Sequence, residues 1–461
     1  MKKVTCGVLF LFLLAGWMEM TLNAAEPQKG DGGTFYAVTF EPSKVPGELI
    51  YAANWRIWIP ENVPTLRGVV IHQHGCGDGS AKPGNSAVED WHWQALARKH
   101  GCALIAVSYE QTGACEMWCD PRNGSAKSLL DALDFFAKAS GHEELTRIPW
   151  AIWGHSGGGQ WTASMTMLFP ERVLGAWCRS GHPDTVGATF ESLPKKENLR
   201  DVPMILNLGV REKTEFKRIW DLGFPYVLAM RKAGARIAIF LDPQTGHCCG
   251  DSRYPAIRFL DLCMEQRLPE EAGSAEMRPM KTGILVESDD IWREFEKNTQ
   301  IGENKSESDE LVGEKLKPFL AEGYWFPTED FVEFWKAYQV DGSVPDQTPP
   351  PAPFNVRISS RQVSAGLEVT LSWEAYADLE SGLAAFIVER DGIEIARLTG
   401  SQSSVGRPLY QGLKYSDTPC ETRSPGFTET LPAANSGTPL PAYSVRSVNS
   451  NGLVSEPGKE R

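Results

Sequence analysis

The sequence predicts an α/β fold, a mostly parallel sheet with helices on both faces, followed by a small all-β sandwich. Three observations carry this expectation. Strand-like and helix-like apolar patterns alternate from about residue 30 to residue 265, as they do where helices connect parallel strands. A stiff proline-rich stretch, Pro345-Asp346-Gln347-Thr348-Pro349-Pro350-Pro351, then interrupts the chain. Beyond it, short apolar runs recur between turn residues, the pattern of a sandwich.

The amino terminus reads as an export signal. Lys2 and Lys3 give a positive start, residues 8–15 are an apolar run, and Ala24 and Ala25 are small residues that a signal peptidase accepts. The expected signal peptide is 1–25, giving a secreted or periplasmic chain with no stable membrane insertion. A membrane anchor would need about twenty apolar residues, and Glu19 and Asn23 interrupt the run. A lipid anchor would need a cysteine after Leu13-Leu14-Ala15-Gly16, where Trp17 stands.

The first domain is expected over 30–270. Residues 51–59 and 68–74 predict strands, the second around Val69-Val70-Ile71. In 86–100, Val88, Trp91, Leu96 and Ala97 fall on one side of a helix. Residues 102–108 predict another strand. Ser125 reads as the N-cap of a helix carrying Leu129, Leu130, Leu133, Phe136 and Ala137. Residues 148–153 are the next strand and 157–169 the next helix, and 173–178, 202–208 and 236–241 are three more strands. The segment 271–344 is expected to be a partly helical, mobile connection. Within it 298–314 is charged and poor in apolar residues, which predicts a mobile loop. Tyr324-Trp325-Phe326-Pro327 with Phe331, Val332, Phe334 and Trp335 predicts a short aromatic helix docked on another surface. The last domain, 345–461, is expected to hold strands at 367–373, 385–390, 394–398 and 443–448.

Composition narrows the function. The 461 residues are 42% hydrophobic and 23% charged, the balance of a globular protein of two or three domains at about 150 residues each. The net charge of −13 argues against nucleic acid as a partner, because neutralising phosphates needs a basic patch. Of ten cysteines, Cys6 leaves with the signal. Cys115 and Cys119 are the most plausible local pair, and one of Cys76, Cys248 and Cys249 is placed to cross-link two loops.

The strongest chemical signal is Trp153-Gly154-His155-Ser156-Gly157-Gly158-Gly159, at the end of a predicted strand and the start of a predicted helix. A serine on so tight a turn needs flanking residues without a Cβ, which Gly154 and Gly158 supply. Ser156 is therefore the candidate nucleophile, with the Gly157 amide at the helix start as an oxyanion donor. His247, in Gly246-His247-Cys248-Cys249-Gly250 after the strand 236–241, is the candidate base. His155, within the turn, is expected to point away, and His182 to line the pocket. Glu212, Glu215 and Asp221 follow the strand 202–208 and are the candidate acids. Metal is the competing reading at His72 and His74, but position 76 is cysteine where a further ligand would be wanted, so no metal site is expected.

With these residues in place, the chain resembles the α/β-hydrolase superfamily, in particular secreted esterases of the dienelactone-hydrolase and polyhydroxybutyrate-depolymerase kind. The order serine, acid, histidine is that of the superfamily. The resemblance implies Glu212, three residues after Gly209, as the acid, although aspartate is commoner there. It also implies that His74-Gly75 precedes the second oxyanion donor, the amide of Cys76, with Gly77 as the next choice. It further implies an ester substrate, one source being decorated polysaccharide, and neither metal nor organic cofactor. Trp153, Trp161, Trp177, Trp91, Trp93 and Trp118 are candidates either for core packing or for stacking on substrate. The end of the chain resembles a fibronectin type III domain through Trp373, Tyr415-Ser416-Asp417 and Tyr443-Ser444-Val445-Arg446-Ser447-Val448-Asn449. That resemblance implies a core role for Trp373 and a corner-pinning role for Tyr443. A serine peptidase of the same fold, an acyltransferase and a noncatalytic binding protein on this scaffold are the alternatives.

Overall fold

The computed structural model describes residues 22–77, 83–111, 116–185, 188–297, 315–403, 405–414, 417–419, 425–432 and 439–458. A nine-stranded sheet forms the body. Its strands are β1 (Leu22–Gly30), β2 (Gly33–Phe40), β3 (Ala53–Pro60), β4 (Val69–Gln73), β5 (Ala103–Tyr109), β6 (Trp150–His155), β7 (Val173–Arg179), β8 (Pro203–Gly209) and β9 (Arg236–Asp242), in the order β1-β2-β3-β5-β4-β6-β7-β8-β9. The pairs from β1 to β3, and β3 with β5, are antiparallel. All later pairs are parallel. Every residue of β4 to β8 is buried, so these strands read as continuous apolar runs rather than as alternation. The covering helices are α1 (Trp91–Lys99), α2 (Ser125–Ser140), α3 (Gly157–Leu168), α4 (Lys217–Lys232) and α5 (Arg253–Arg267). This is the α/β-hydrolase arrangement, with one extra hairpin strand at its antiparallel edge.

Several elements differ from expectation for local reasons. The β1–β2 hairpin turns at Asp31 and Gly32, both at positive φ (52° and 64°). Asp-Gly is a common sequence for such a turn, but β1 is almost wholly exposed and β2 half-buried, so the two strands carry only a weak pattern. The expected cleavage point after Ala25 falls at a register shift within β1. The helix expected over 86–100 is divided at Asp90, whose carboxylate accepts from the amides of His92 and Trp93 and so starts α1 afresh. Ser125 is not an N-cap. Gly124, at φ 105°, holds that position, and a Cβ there would lie 2.3 Å from the Leu49 nitrogen. Ser125 Oγ instead donates to the Trp118 carbonyl (2.6 Å) and accepts from Trp161 Nε1 (3.0 Å). Helix α5 was not expected, because buried residues, Arg253 and Arg267 among them, lie on several of its sides and blur the apolar stripe.

The connection contains β10 (Ile284–Val286), paired with β11 (Tyr324–Phe326), and helices α6 (Ser288–Lys297) and α7 (Glu329–Asp341). The loop expected over 298–314 lies outside the described residues. The aromatic helix α7, capped by Thr328 (Oγ1 to Phe331 N, 3.1 Å), packs on β9, where Trp335 Nε1 donates to the Ile239 carbonyl at 3.1 Å. Two three-stranded antiparallel sheets follow. One is β12 (Phe354–Val363), β13 (Gly366–Glu374) and β16 (Gly426–Leu431). The other is β15 (Ile393–Thr399), β14 (Ala385–Arg390) and β17 (Tyr443–Val448). Trp373 sits in their shared core with Val369, Leu371, Phe386, Val388 and Val445. The Tyr443 hydroxyl donates to the Glu429 carboxylate at 2.7 Å, so it ties two strands through side chains. No described helix is long and apolar enough to cross a membrane.

Candidate active site

Strand β6 and helix α3 meet at Ser156, whose φ of 56° and ψ of −120° lie in a strained region for a residue with a Cβ. Close packing enforces the glycines around it. A Cβ on Gly154 would lie 2.2 Å from the Gly158 carbonyl oxygen, and one on Gly158 would lie 2.3 Å from that of His74. The Ser156 amide donates to the Arg179 carbonyl at the end of β7 (2.8 Å). Ser156 Oγ lies 2.8 Å from His247 Nε2, and His247 Nδ1 lies 2.6 Å from Glu212 Oε1. The other Glu212 oxygen accepts the Gly209 amide at 3.0 Å. This bond and full burial fix the carboxylate. Ser156, Glu212 and His247 are thus brought together from the ends of β6, β8 and β9. Of the rival acids, exposed Glu215 is 3.9 Å from Arg211 with its carboxylate against Gly246, and Asp221 pairs with Lys217.

Two residues that the sequence reasoning missed shape the His247 loop. Arg179 is wholly buried. Its guanidinium donates to Thr245 Oγ1 (2.8 Å), to the Gly246 carbonyl (2.9 Å) and to the Cys248 carbonyl (2.6 Å). One side chain therefore grips the residues on both sides of His247, while the Arg179 carbonyl holds the Ser156 amide. An arginine closing an otherwise apolar strand was the available signal. Phe216, 49% exposed, stacks on the His247 ring at 4.0 Å and 23°.

Two further histidines, His155 and His182, depart from expectation. His155 does not turn away from the base. Its Nε2 donates to the His247 carbonyl (2.6 Å), and the two rings are 5.3 Å apart. Burial, followed by the nearby His247 and Arg179 charges, holds it neutral, well below the ordinary histidine range. His182 lines no cleft, since it is buried against Tyr226 with its nitrogens on the Pro183 and Ile219 carbonyls. His72 and His74 do not converge on one point. His72 Nε2 meets Asp417 Oδ2 at 3.0 Å, whereas His74 Nδ1 meets the Gly75 carbonyl, with burial pushing His74 down to about 4.

The Gly157 amide begins α3 beside Ser156. The loop with the other expected oxyanion donor, Cys76, runs against it: a Cβ on Gly75 would stand 3.3 Å from the Ser156 Cβ. Cys76 itself is disulfide-bonded. Cys115 lies outside the described residues. All six tryptophans considered for stacking on substrate are buried at 4% exposure or less, and so are core.

No family model matches the chain, and no curated protein matches it. Among solved structures, it is similar to a thermostable esterase (17% identity, 45% of this chain and 54% of that one, TM-score 0.32). It is also similar to an S-formylglutathione hydrolase from Agrobacterium tumefaciens (14%, 53% and 99%, 0.37) and to a dienelactone hydrolase from Anabaena variabilis (18%, 47% and 88%, 0.29). The chain spans about half the length of the thermostable esterase. At these identities and scores the functional reading rests on the geometry of the site.

Proposed function

We propose that the protein is a serine hydrolase that cleaves carboxylic esters through an acyl-enzyme on Ser156. The observation that carries this reading is the unbroken hydrogen-bond chain from Ser156 Oγ through His247 to Glu212, set on a strained strand-to-helix turn. In this mechanism His247 Nε2 takes the serine proton as Oγ attacks the ester carbonyl. Glu212 holds the imidazole so that Nδ1 carries its proton, and it stabilises the imidazolium that forms. The Gly157 and Cys76 amides receive the oxyanion. His247 then protonates the leaving alcohol, and a water activated by the same histidine releases the acid. The residues perform every step without a cofactor.

The substrate reading is an ester of an aryl or short acyl acid, with decorated polysaccharide as its source. The chain is read as exported, on the basis of its Lys2–Lys3 start and apolar run, and a disulfide at Cys76 fits an oxidising compartment. The two C-terminal sheets are assigned to a fibronectin type III-like unit. The deciding experiment is labelling of the purified protein with a fluorophosphonate probe, wild type beside Ser156→Ala and His247→Ala. Labelling of wild type alone supports the reading, and a screen of aryl esters against peptides and acyl acceptors then separates esterase from peptidase and transferase. A folded wild type that takes no label would overturn the reading in favour of a noncatalytic binding protein.

A further inference from the structure

The C-terminal part reaches beyond its own two sheets. Between β15 and β16 the chain leaves them and lies on the hydrolase body. Leu409 is buried in the hydrolase core. Gln411 closes over the start of α1, its Oε1 accepting from the Trp91 amide (2.8 Å) and its Nε2 donating to the Glu89 carbonyl (2.9 Å). Arg407 donates from Nε to Asp251 Oδ2 (2.7 Å), four residues past His247, and from Nη2 to the Gly342 carbonyl (2.9 Å).

Asp417 is the centre of this contact. It is 2% exposed. Its Oδ1 accepts from Arg253 Nε (2.9 Å) and Nη2 (2.7 Å), and its Oδ2 meets His72 Nε2 (3.0 Å) and Trp93 Nε1 (3.2 Å). Arg253 also pairs with Asp90 at 2.7 Å. Burial alone would raise the Asp417 carboxyl, but Arg253 and His72 outweigh it and hold the group below the usual carboxylate range. The expected place of Asp417, within the C-terminal sandwich, is therefore corrected: it is interior to the hydrolase part. Tyr415 and Ser416 lie outside the described residues.

Two short routes lead from Asp417 to the site. His72 lies near the end of β4, and that strand runs straight into Gly75 and Cys76. The Gln73 and His74 carbonyls press on the first turn of α3, within 2.5 Å of where a Gly158 Cβ would stand. Arg253, on the other side, begins α5 directly after the His247 loop. Without Asp417, Arg253 would keep one buried carboxylate partner and His72 Nε2 would lose its acceptor, and buried polar groups left so are costly.

We propose that Asp417, with Arg407 as outer support, is a positioning residue for the reaction. It fixes the oxyanion strand and the histidine loop relative to one another, which makes the C-terminal part a component of the catalytic unit. The proposal rests on Ser156 being the nucleophile.

The test uses the full chain with Asp417→Asn, His72→Asn, their double variant and Arg407→Gln. Reactive serine is counted by titration with a fluorophosphonate, and kcat per titrated site is measured with KM on a chromogenic ester. Asp417→Asn should lower kcat per site about ten- to a hundredfold with KM within about threefold, and Arg407→Gln about threefold. His72→Asn added to Asp417→Asn should cost little more, because coupled residues are not additive. Unchanged kcat per site in both single C-terminal variants, with only the melting temperature lowered, would overturn the proposal. Should Asp417→Asn fail to fold, Arg407→Gln and Gln411→Ala decide it, and wild-type kcat in both overturns it. A folded wild type that takes no fluorophosphonate label would overturn the underlying reading as well, an outcome distinct from variants that label and turn over normally.

Discussion

The nine-stranded body and the C-terminal sheets solve the problem of burial in different ways. In the body, β4 to β8 are buried on both faces and close on apolar side chains. The C-terminal sheets have alternating or exposed strands around a small core. The two parts nevertheless meet through charges as well as apolar contact. Arg253, Asp90, Asp417 and His72 form a buried cluster, and Arg407 pairs with Asp251. Apolar packing can hold strands at a distance, but it does not fix the loops at their ends. Those loops are held by directed hydrogen bonds, some of which come from the other end of the chain.

The largest expected effect tests whether the body alone supplies the chemistry. Ser156→Ala should lower kcat by about 10³-fold or more, and Glu212→Gln by about 10²-fold or more with KM little changed. A Glu212→Gln enzyme with near-wild-type kcat would remove the acid from Glu212 and weaken the contrast between a catalytic body and a supporting C-terminal part.

Arg179→Met is the next break. It strands acceptors on Gly246 and Cys248, each costing about 1–3 kcal/mol when left buried and unpaired. The expected result is a lower melting temperature together with a kcat loss of about ten- to a hundredfold, because the loop that loosens carries His247. A lower melting temperature with unchanged kcat would mean that the loop keeps its shape without the guanidinium.

The pattern of what could be foreseen follows the same division. The meeting of Ser156, His247 and Glu212 was legible because each follows a strand end, and the turn at Ser156 leaves no room for a Cβ at Gly154 or Gly158. Arg179, Phe216 and Asp417 were not legible. Their contacts, such as Arg179 with Thr245 or Asp417 with His72, join residues 66 and 345 apart and leave no local pattern beyond the arginine that closes an apolar strand. The β1–β2 hairpin was missed for another reason, since edge strands that are exposed or half-buried carry little apolar signal. The six candidate tryptophans are core: Trp153, Trp161, Trp177, Trp93 and Trp118 pack within the body, and Trp91 packs with the core of the C-terminal sheets.

Acid should sharpen the comparison through stability. Burial lowers His74 and His92 to about 4 from an ordinary 6.5, and lowers His155 as well. The folded state keeps these rings neutral while the unfolded chain takes up protons below pH 6.5. Their contribution is therefore present above pH 6.5 and is lost as the pH falls toward 4, up to about 3 kcal/mol for each of the first two. His92 Nε2 bonds the Leu379 carbonyl at the boundary with the C-terminal part. Denaturant unfolding at pH 7 and pH 5 should show a marked loss in wild type and a smaller one in His92→Gln. An equal loss in both would take the boundary out of the acid response.

The smallest effect concerns Phe216, the exposed ring stacked on His247. An aromatic face over an imidazole contributes about 0.5–1.5 kcal/mol, and it favours the cationic ring that forms as the serine attacks. Phe216→Ala should therefore lower kcat about threefold to tenfold, while Phe216→Tyr, which keeps the face, should stay near wild type. Because the ring is half exposed and makes no bond that orders the loop, its removal should leave the melting temperature within about a degree or two of wild type. The pair of measurements separates it from Arg179, whose loss should move rate and melting temperature together. If Phe216→Ala raises KM with kcat unchanged, the ring serves substrate rather than histidine, and the apolar side of the cleft begins at that position.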